Sequence, residues 1–177
     1  MKRYIITGTP GSGKTALIRA IEMQGDFVVE EAATDVIEHE QNMGKSEPWQ
    51  QPKFLDRIIN LQKQRQIQAK LATSAIQFYD RSPICTYALA IYLGFEVSAK
   101  ILEEVHRSYE VYEKQVFFIE NLGFCKPTNA RKISYKEALV FEQIHRDAYA
   151  KFGYHCIKIE PAPISKRVAN IFNFIQP

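Results

Sequence analysis

The stretch of sequence that decides the fold is Gly8-Thr9-Pro10-Gly11-Ser12-Gly13-Lys14-Thr15, a full match to the pattern G-x-x-x-x-G-K-[ST]. An apolar run precedes it and a helical pattern follows it. Glycines let the backbone curl until its N–H groups converge on phosphate oxygens, and the following helix adds its positive N-terminal end. We expect Lys14 to reach the β- and γ-phosphates and the Thr15 hydroxyl to bind Mg²⁺. The eight residues therefore predict a nucleoside triphosphate site.

Short apolar runs alternate with helical patterns on both sides of this loop. The predicted strands are Arg3–Thr7, Phe27–Glu30, Ala75–Tyr79, Gln115–Ile119 and His155–Ile159. The predicted helices are Ala16–Met23, Ala32–Gln41, Lys53–Ala72, Pro83–Leu93, Ser98–Tyr112, Tyr135–Phe152 and Ile164–Ile175. Apolar strands that alternate with helices are typical of a parallel sheet covered on both faces. We therefore expect an α/β fold in one domain over residues 1–177.

The composition excludes several other classes of protein. With 46% hydrophobic and 24% charged residues, the chain is too apolar for a disordered segment. Its net charge of +3 is too small to indicate a nucleic-acid or membrane partner. The three cysteines and four histidines follow no metal-ligand spacing. No charged leader or membrane-length apolar run occurs, so we expect a cytoplasmic protein without a membrane partner.

Acidic residues follow the second and third predicted strands. Asp80 ends the third strand, where a carboxylate supports Mg²⁺ or activates an acceptor, and Arg81 would lie close to the transferred phosphoryl group. The alternative is a helix-capping Asp80 with a solvated Arg81. Glu30 and Glu31 end the second strand, where a carboxylate orients an acceptor hydroxyl as a general base. The alternative for both glutamates is an ordinary solvated acid.

Two segments without regular patterning are candidates for the parts that close over a ligand. Asn42–Pro52, which carries Trp49, is a candidate substrate loop, and Glu120–Ser134 is a candidate lid. A basic lid neutralises charge that develops during transfer. Arg131 is the best candidate for this role, and Lys126 and Lys132 are the next candidates. The alternative is a basic surface loop. The polar run Gln62–Gln66, in contrast, is predicted to be a solvated helix face.

Taken together, these features resemble a family of small P-loop proteins described as AAA-domain ATPases or kinases. The chain is similar to the nicotinamide-riboside kinase domain of bacterial NAD regulators, and more distantly to thymidylate and deoxynucleoside kinases. The matching residues are Gly8–Thr15, Val29–Ala33, Phe78–Arg81 and Arg131–Pro161. The resemblance implies a three-layer P-loop fold with five parallel strands in the order 2-3-1-4-5 and a lid loop. It also implies Mg²⁺ and ATP as the phosphate donor.

Exclusion among P-loop proteins leaves a small kinase-like core or a nucleotide-binding switch, and the resemblance to kinases favours the first. A GTPase needs a DxxG turn and an NKxD guanine motif, a transporter ATPase needs an LSGGQ-like signature, and an AAA+ motor needs a further helical domain. We therefore expect a kinase that transfers phosphate from ATP to a small hydroxylated or phosphorylated, nucleoside-like acceptor, releasing ADP. The predicted catalytic residues are Lys14, Glu31, Asp80, Arg81 and Arg131, with Thr15 and Asp80 as Mg²⁺ ligands.

Two alternatives to a small-molecule kinase remain open at this point. The first is an ATPase or nucleotide-gated binding module without a small-molecule acceptor. The second is a polynucleotide 5′-kinase, which needs a basic groove for a single strand. Lys and Arg are dispersed along this chain, so a nucleic-acid partner is disfavoured.

Overall fold

The computed structural model describes residues 1–124 and 133–175. The strands are β1 (Lys2–Thr7), β2 (Phe27–Val29), β3 (Ile76–Asp80), β4 (Gln115–Ile119) and β5 (His155–Ile159). The helices are α1 (Lys14–Met23), α2 (Ala32–Asn42), α3 (Lys53–Gln68), α4 (Pro83–Leu93), α5 (Ala99–Val111), α6 (Tyr135–Lys151) and α7 (Ile164–Ile175). Short 3₁₀ turns cover Pro48–Gln50 and Ala69–Leu71. Each predicted strand and helix is present, and α3 ends four residues before the predicted boundary.

The five strands form one parallel sheet in the order β2-β3-β1-β4-β5, which confirms the predicted topology. Ile6 of β1 pairs in register with Asp80 at the end of β3 and with Phe117 of β4. Since all strands are parallel, their carboxyl ends meet at the same edge of the sheet. The phosphate loop after β1 and the residues after β3 are therefore neighbours in space.

Two hydrophobic cores lie on opposite faces of the sheet. Helices α1 and α7 cover one face, where Ile6, Phe78 and Phe117 pack against Leu17 and Val168. Helices α2 to α6 contribute to the core of the other face, which includes alternate strand residues such as Ile5, Tyr79 and Val116. This alternation explains why the strands read as continuous apolar runs, because each side of the strand is buried. The three-layer arrangement is confirmed.

Local signals in the sequence explain where several helices begin. Ser98 caps α5 by accepting a hydrogen bond from the Ile101 N–H at 3.3 Å. Ser134 and Glu137 form a capping box at the start of α6, each side chain accepting from the other residue's backbone N–H. Within the described residues, no helix is both long and apolar enough to cross a membrane.

Phe117→Ala tests the core on the α1–α7 face. Phe117 has no exposed surface, and its ring contacts the ring of Tyr4 at 5.7 Å between centroids. We expect the free energy of unfolding to fall by about 3–5 kcal/mol, because the substitution removes buried surface and leaves a cavity. Urea denaturation measures the change. Leu71→Ala, at a side chain that is 87% exposed, is the control and should stay within about 0.5 kcal/mol.

Candidate active site

The phosphate loop connects β1 to α1 in a tight turn. Gly11 and Gly13 adopt left-handed backbone angles, with φ of 87° and 72°. Gly11 also has the backbone carbonyl of Phe124 so close that a β-carbon would collide with it, so both positions require glycine. Gly13 is the N-cap of α1, and its carbonyl accepts the first helical bond from Leu17 at 3.2 Å. The loop encloses a cavity of about 350 Å³, lined by residues 9–16.

Lys14, which lines this cavity, forms an ion pair with Asp80 at the end of β3. Both side chains are buried, with 6% and 8% of their surface exposed. Burial raises the pKa of Asp80, against the attraction of the Lys14 ammonium, and the Glu31 carboxylate adds to the rise. Thr15, the next residue of α1, is exposed. The sequence assigned these two residues separate roles, and the ion pair between them is a feature of the structure that was not predicted.

Glu31 and Arg81 form a second ion pair between the ends of β2 and β3. Arg81 has a φ of 73°, which is uncommon for a residue with a side chain, and its N–H donates to the carbonyl of Ile6 at 3.0 Å. Glu31 also accepts from the Thr34 hydroxyl at 3.2 Å. Burial acts to raise the pKa of Glu31, but the charges of Arg81 and Lys14 outweigh it and lower the pKa to about 2. Glu31 is therefore ionised at neutral pH.

The metal ligands available here fit Mg²⁺ bound together with a nucleotide. Within the described part of the chain, no cluster of three or more His, Cys, Asp and Glu side chains could hold a metal ion. Mg²⁺ usually takes one or two protein oxygens and completes its shell with phosphates and water. The hydroxyl of Thr15 and the carboxylate of Asp80 are of the chemical type that such an ion requires.

A second cavity, of about 160 Å³, adjoins the phosphate cavity. Three residues line both cavities, namely Pro10, Glu31 and Arg81. The rest of its wall is mostly apolar, and it continues into a groove of about 320 Å³ lined by Trp49 and Tyr92 among others. The Glu31–Arg81 pair therefore stands at the boundary between a phosphate site and a space of the size of a small molecule.

Some residues that the sequence assigned to the surface belong to this cavity. Gln62 lines it and accepts from the Thr86 hydroxyl at 3.2 Å, and Gln66 of the same helix is 1% exposed. The prediction of a solvated helix face over Gln62–Gln66 is therefore wrong. The reason is that α3 packs against α2, α4 and α5, which bury more than one side of the helix. The sequence signal for burial was the absence of charge at positions 62 and 66, which are glutamines within a run that also carries charged residues.

A cluster of Cys85 and His145 also went undetected in the sequence. Cys85 lines the second cavity, and its sulfur lies 3.2 Å from the Thr7 hydroxyl and 3.1 Å from the Tyr149 hydroxyl. The His145 Nδ1 faces the Phe141 carbonyl at 3.0 Å, while its Nε2 lies 3.5 Å from the Arg81 guanidinium. His145 thus contacts Arg81 from the side of α6.

The segment after β4 lies against the phosphate loop. The Asn121 side chain donates to the Pro10 carbonyl at 2.8 Å, and the Leu122 N–H donates to the Gly11 carbonyl at 3.0 Å. Residues 125–132 of the predicted lid, which include Arg131, Lys126 and Lys132, lie outside the described residues. The role of Arg131 therefore stays a prediction. Trp49 of the predicted substrate loop is half-buried and packs against the core.

The fold and the loop define the class as a P-loop protein with a kinase-like fold. A family model described as AAA domain matches residues 3–167, so the chain belongs to this family of small P-loop proteins. A comparison with curated proteins found no match. The more specific likeness to nicotinamide-riboside kinase domains stays a prediction.

Solved structures with the same fold include a deoxyadenosine kinase and a thymidylate kinase. Deoxyadenosine kinase from M. mycoides with bound dATP is similar over 99% of this chain and 100% of its own, with a TM-score of 0.57 and 12% identity. Thymidylate kinase from Ehrlichia chaffeensis is similar over 99% of this chain and 100% of its own, with a TM-score of 0.62 and 17% identity. At these identities the likeness establishes the fold.

Proposed function

We propose that the chain is a phosphotransferase that moves the γ-phosphate of ATP to a hydroxyl group of a small, nucleoside-like acceptor. The observation that carries this proposal is the shared wall of the two cavities. Glu31 and Arg81 line both the phosphate cavity and the second cavity. An acceptor in the second cavity would thus present its hydroxyl where a terminal phosphate would lie. A binding module that only senses ATP has no need of this second space.

The roles follow from charge and position. The backbone N–H groups of residues 8–15 and the Lys14 ammonium would hold the triphosphate, and Arg81 would balance charge on the moving phosphoryl group. Glu31 would orient the acceptor hydroxyl and take its proton. Thr15 and Asp80 would hold Mg²⁺, which neutralises phosphate charge when bound. Since phosphoryl transfer needs little covalent help from the protein, such positioning supplies most of the rate enhancement.

The charges in the second cavity favour a hydroxyl acceptor over a phosphorylated one. Among the described residues that line this cavity and its apolar groove, Arg81 is the one basic side chain, and Glu31 neutralises it. A phosphate monoester brought there would have to compete for Arg81 with Glu31 and with the transferred phosphoryl group. The second cavity instead offers apolar surface at Ile37, Leu89 and Phe141, and an amide at Gln62. A flat, uncharged group with hydrogen-bonding edges matches these walls.

The test is ADP release from Mg-ATP with a panel of acceptors. The panel holds nucleosides, the matching nucleoside monophosphates, nicotinamide riboside, sugars and a 5′-hydroxyl oligonucleotide. We expect a nucleoside to stimulate release and its monophosphate to have no effect. Asp80→Asn should lower the stimulated rate on the order of 10²-fold. Slow release that no acceptor stimulates would overturn the proposal in favour of a nucleotide-gated module.

A further inference from the structure

Arg167 is a buried arginine directly behind the phosphate loop. It lies in the first turn of α7, where its backbone N–H donates to the Pro163 carbonyl at 3.1 Å. Its side chain is 2% exposed. The Nη2 of the guanidinium donates to the Ser12 carbonyl at 2.7 Å, and Nη1 lies 3.2 Å from the position that a β-carbon on Gly13 would take.

This guanidinium lacks a carboxylate partner. Across residues 1–124 and 133–175, no carboxylate oxygen lies within 4.0 Å of it, and its Nε has no hydrogen-bond partner. Other arginines of low exposure are paired: Arg81 with Glu31, and Arg146 with two glutamates. A buried cation without a counter-charge is costly, so buried charges are normally paired. The described residues therefore supply no counter-charge for Arg167.

The phosphate cavity is the place where such an anion fits. Ser12 and Gly13 line that cavity, whereas Arg167 contacts the same two residues from outside it. Bound nucleotide would bring phosphate charge to the opposite side of a single layer of backbone. Arg167 would then attract the phosphates across the backbone of the loop. The attraction between two charges is stronger inside a protein than in water, because the effective dielectric constant is lower.

The peptide unit between Ser12 and Gly13 can transmit this effect. In a trans peptide the C=O and the next N–H point in opposite directions, and the described part of the chain has no cis peptide bonds. The Ser12 carbonyl points at Arg167, so the Gly13 N–H points away from it. A charged donor on the carbonyl polarises the peptide and makes the Gly13 N–H a stronger hydrogen-bond donor.

We propose that Arg167 is a second cation of the nucleotide phosphate site, a positioning residue that acts through the Ser12–Gly13 peptide and takes its counter-charge from the bound phosphates. The proposal rests on the binding of nucleotide by the phosphate loop. Lys14 would contact the phosphates directly, whereas Arg167 would raise the positive potential from behind the loop. It predicts a dependence on ligand charge that a purely structural arginine does not have.

The test compares Arg167→Gln and Arg167→Lys for binding of adenosine, ADP and ATP, measured by calorimetry or by competition. Gln keeps a hydrogen-bond donor for Ser12 but removes the charge, whereas Lys keeps the charge. In Arg167→Gln we expect ATP to bind about tenfold more weakly, ADP to lose less, and adenosine to be unchanged. Arg167→Lys should recover most of the ATP affinity. Arg19→Gln, at an exposed arginine of α1, is the control for net charge.

Two results would overturn the proposal. One is an equal loss of affinity for adenosine and ATP in Arg167→Gln, which a structural role produces. The other is ATP affinity unchanged by either substitution. If Arg167→Gln does not fold, Arg167→Met takes its place, because it keeps the length of the side chain and removes the charge, and the same two results would overturn the proposal. A wild-type protein that binds ATP but phosphorylates no acceptor would contradict the proposed function alone and leave this test intact.

Discussion

We expect Lys14→Met to lower phosphoryl transfer on the order of 10³-fold and to weaken ATP binding. The reason is that Lys14 places a buried ammonium at the end of the phosphate loop, where charge would develop on the transferred group in the proposed reaction. Removal of one such preorganised charge costs roughly 10²–10³ in rate, and lost affinity adds to that. ADP release under saturating acceptor measures the first effect, and calorimetry with Mg-ATP measures the second.

Two further variants separate the role of Lys14 from general effects. Lys70→Met removes an exposed lysine from the turn before β3 and should leave transfer unchanged. Lys14→Met also leaves Asp80 buried without its ammonium, so Lys14→Met/Asp80→Asn should be more stable to heat than Lys14→Met alone. Transfer within threefold of the wild-type rate in Lys14→Met would rule out the proposed part of Lys14 in the reaction.

Local sequence patterns predicted most of the fold. The strands are apolar on both faces, so five short runs identify them, and serine caps mark the starts of α5 and α6. The G-x-x-x-x-G-K-[ST] pattern located the phosphate loop because its glycines and lysine are needed within eight consecutive residues. The strand order came from the family resemblance, since pairing between distant strands leaves no mark in a local pattern.

The parts of the site that escaped prediction are those assembled from distant elements. Whether Glu30 or Glu31 faces the acceptor depends on the backbone direction after β2, and the structure pairs Glu31 with Arg81. Cys85 and His145 are 60 residues apart in the sequence and meet only because α4 packs on α6. In the sequence, Arg167 cannot be told from any other arginine of an amphipathic helix. Its role depends on the packing of α7 against the phosphate loop, which only the structure shows.

We expect Glu31→Gln to lower the proposed acceptor-stimulated transfer on the order of 10²-fold. A carboxylate with a pKa of about 2 is a weak base, so most of its contribution would come from the orientation of the acceptor hydroxyl. The amide of glutamine orients the hydroxyl less strongly and takes no proton. The measurement is the stimulated rate at saturating nucleoside and Mg-ATP. Glu30→Gln, at the exposed neighbouring glutamate, is the matched control and should keep the wild-type rate.

The same ion pair predicts how stability depends on pH. The pKa of Glu31 is about 2 in the folded protein against an ordinary value of 4.5, so its ionised form stabilises the fold. This contribution is complete above pH 4.5 and is lost as the pH falls toward 2. At pH 7 we expect Glu31→Gln to lower the free energy of unfolding by roughly 1–3 kcal/mol, because Arg81 loses its partner. The difference between wild type and variant should narrow between pH 4.5 and 3.

Unfolding curves at pH 7, 4.5 and 3, together with the pH profile of transfer, decide between this arrangement and a conventional general base. If Glu31 stays ionised, the rate of transfer should not fall with its protonation at any pH above about 4. A free glutamate carboxylate, in contrast, is still partly protonated just above pH 4. A limb with a midpoint near pH 6 that disappears in Glu31→Gln would mean that the carboxylate titrates as a base free of Arg81. That result, or a stability difference that does not change with pH, would contradict the ion pair as the resting state of the site.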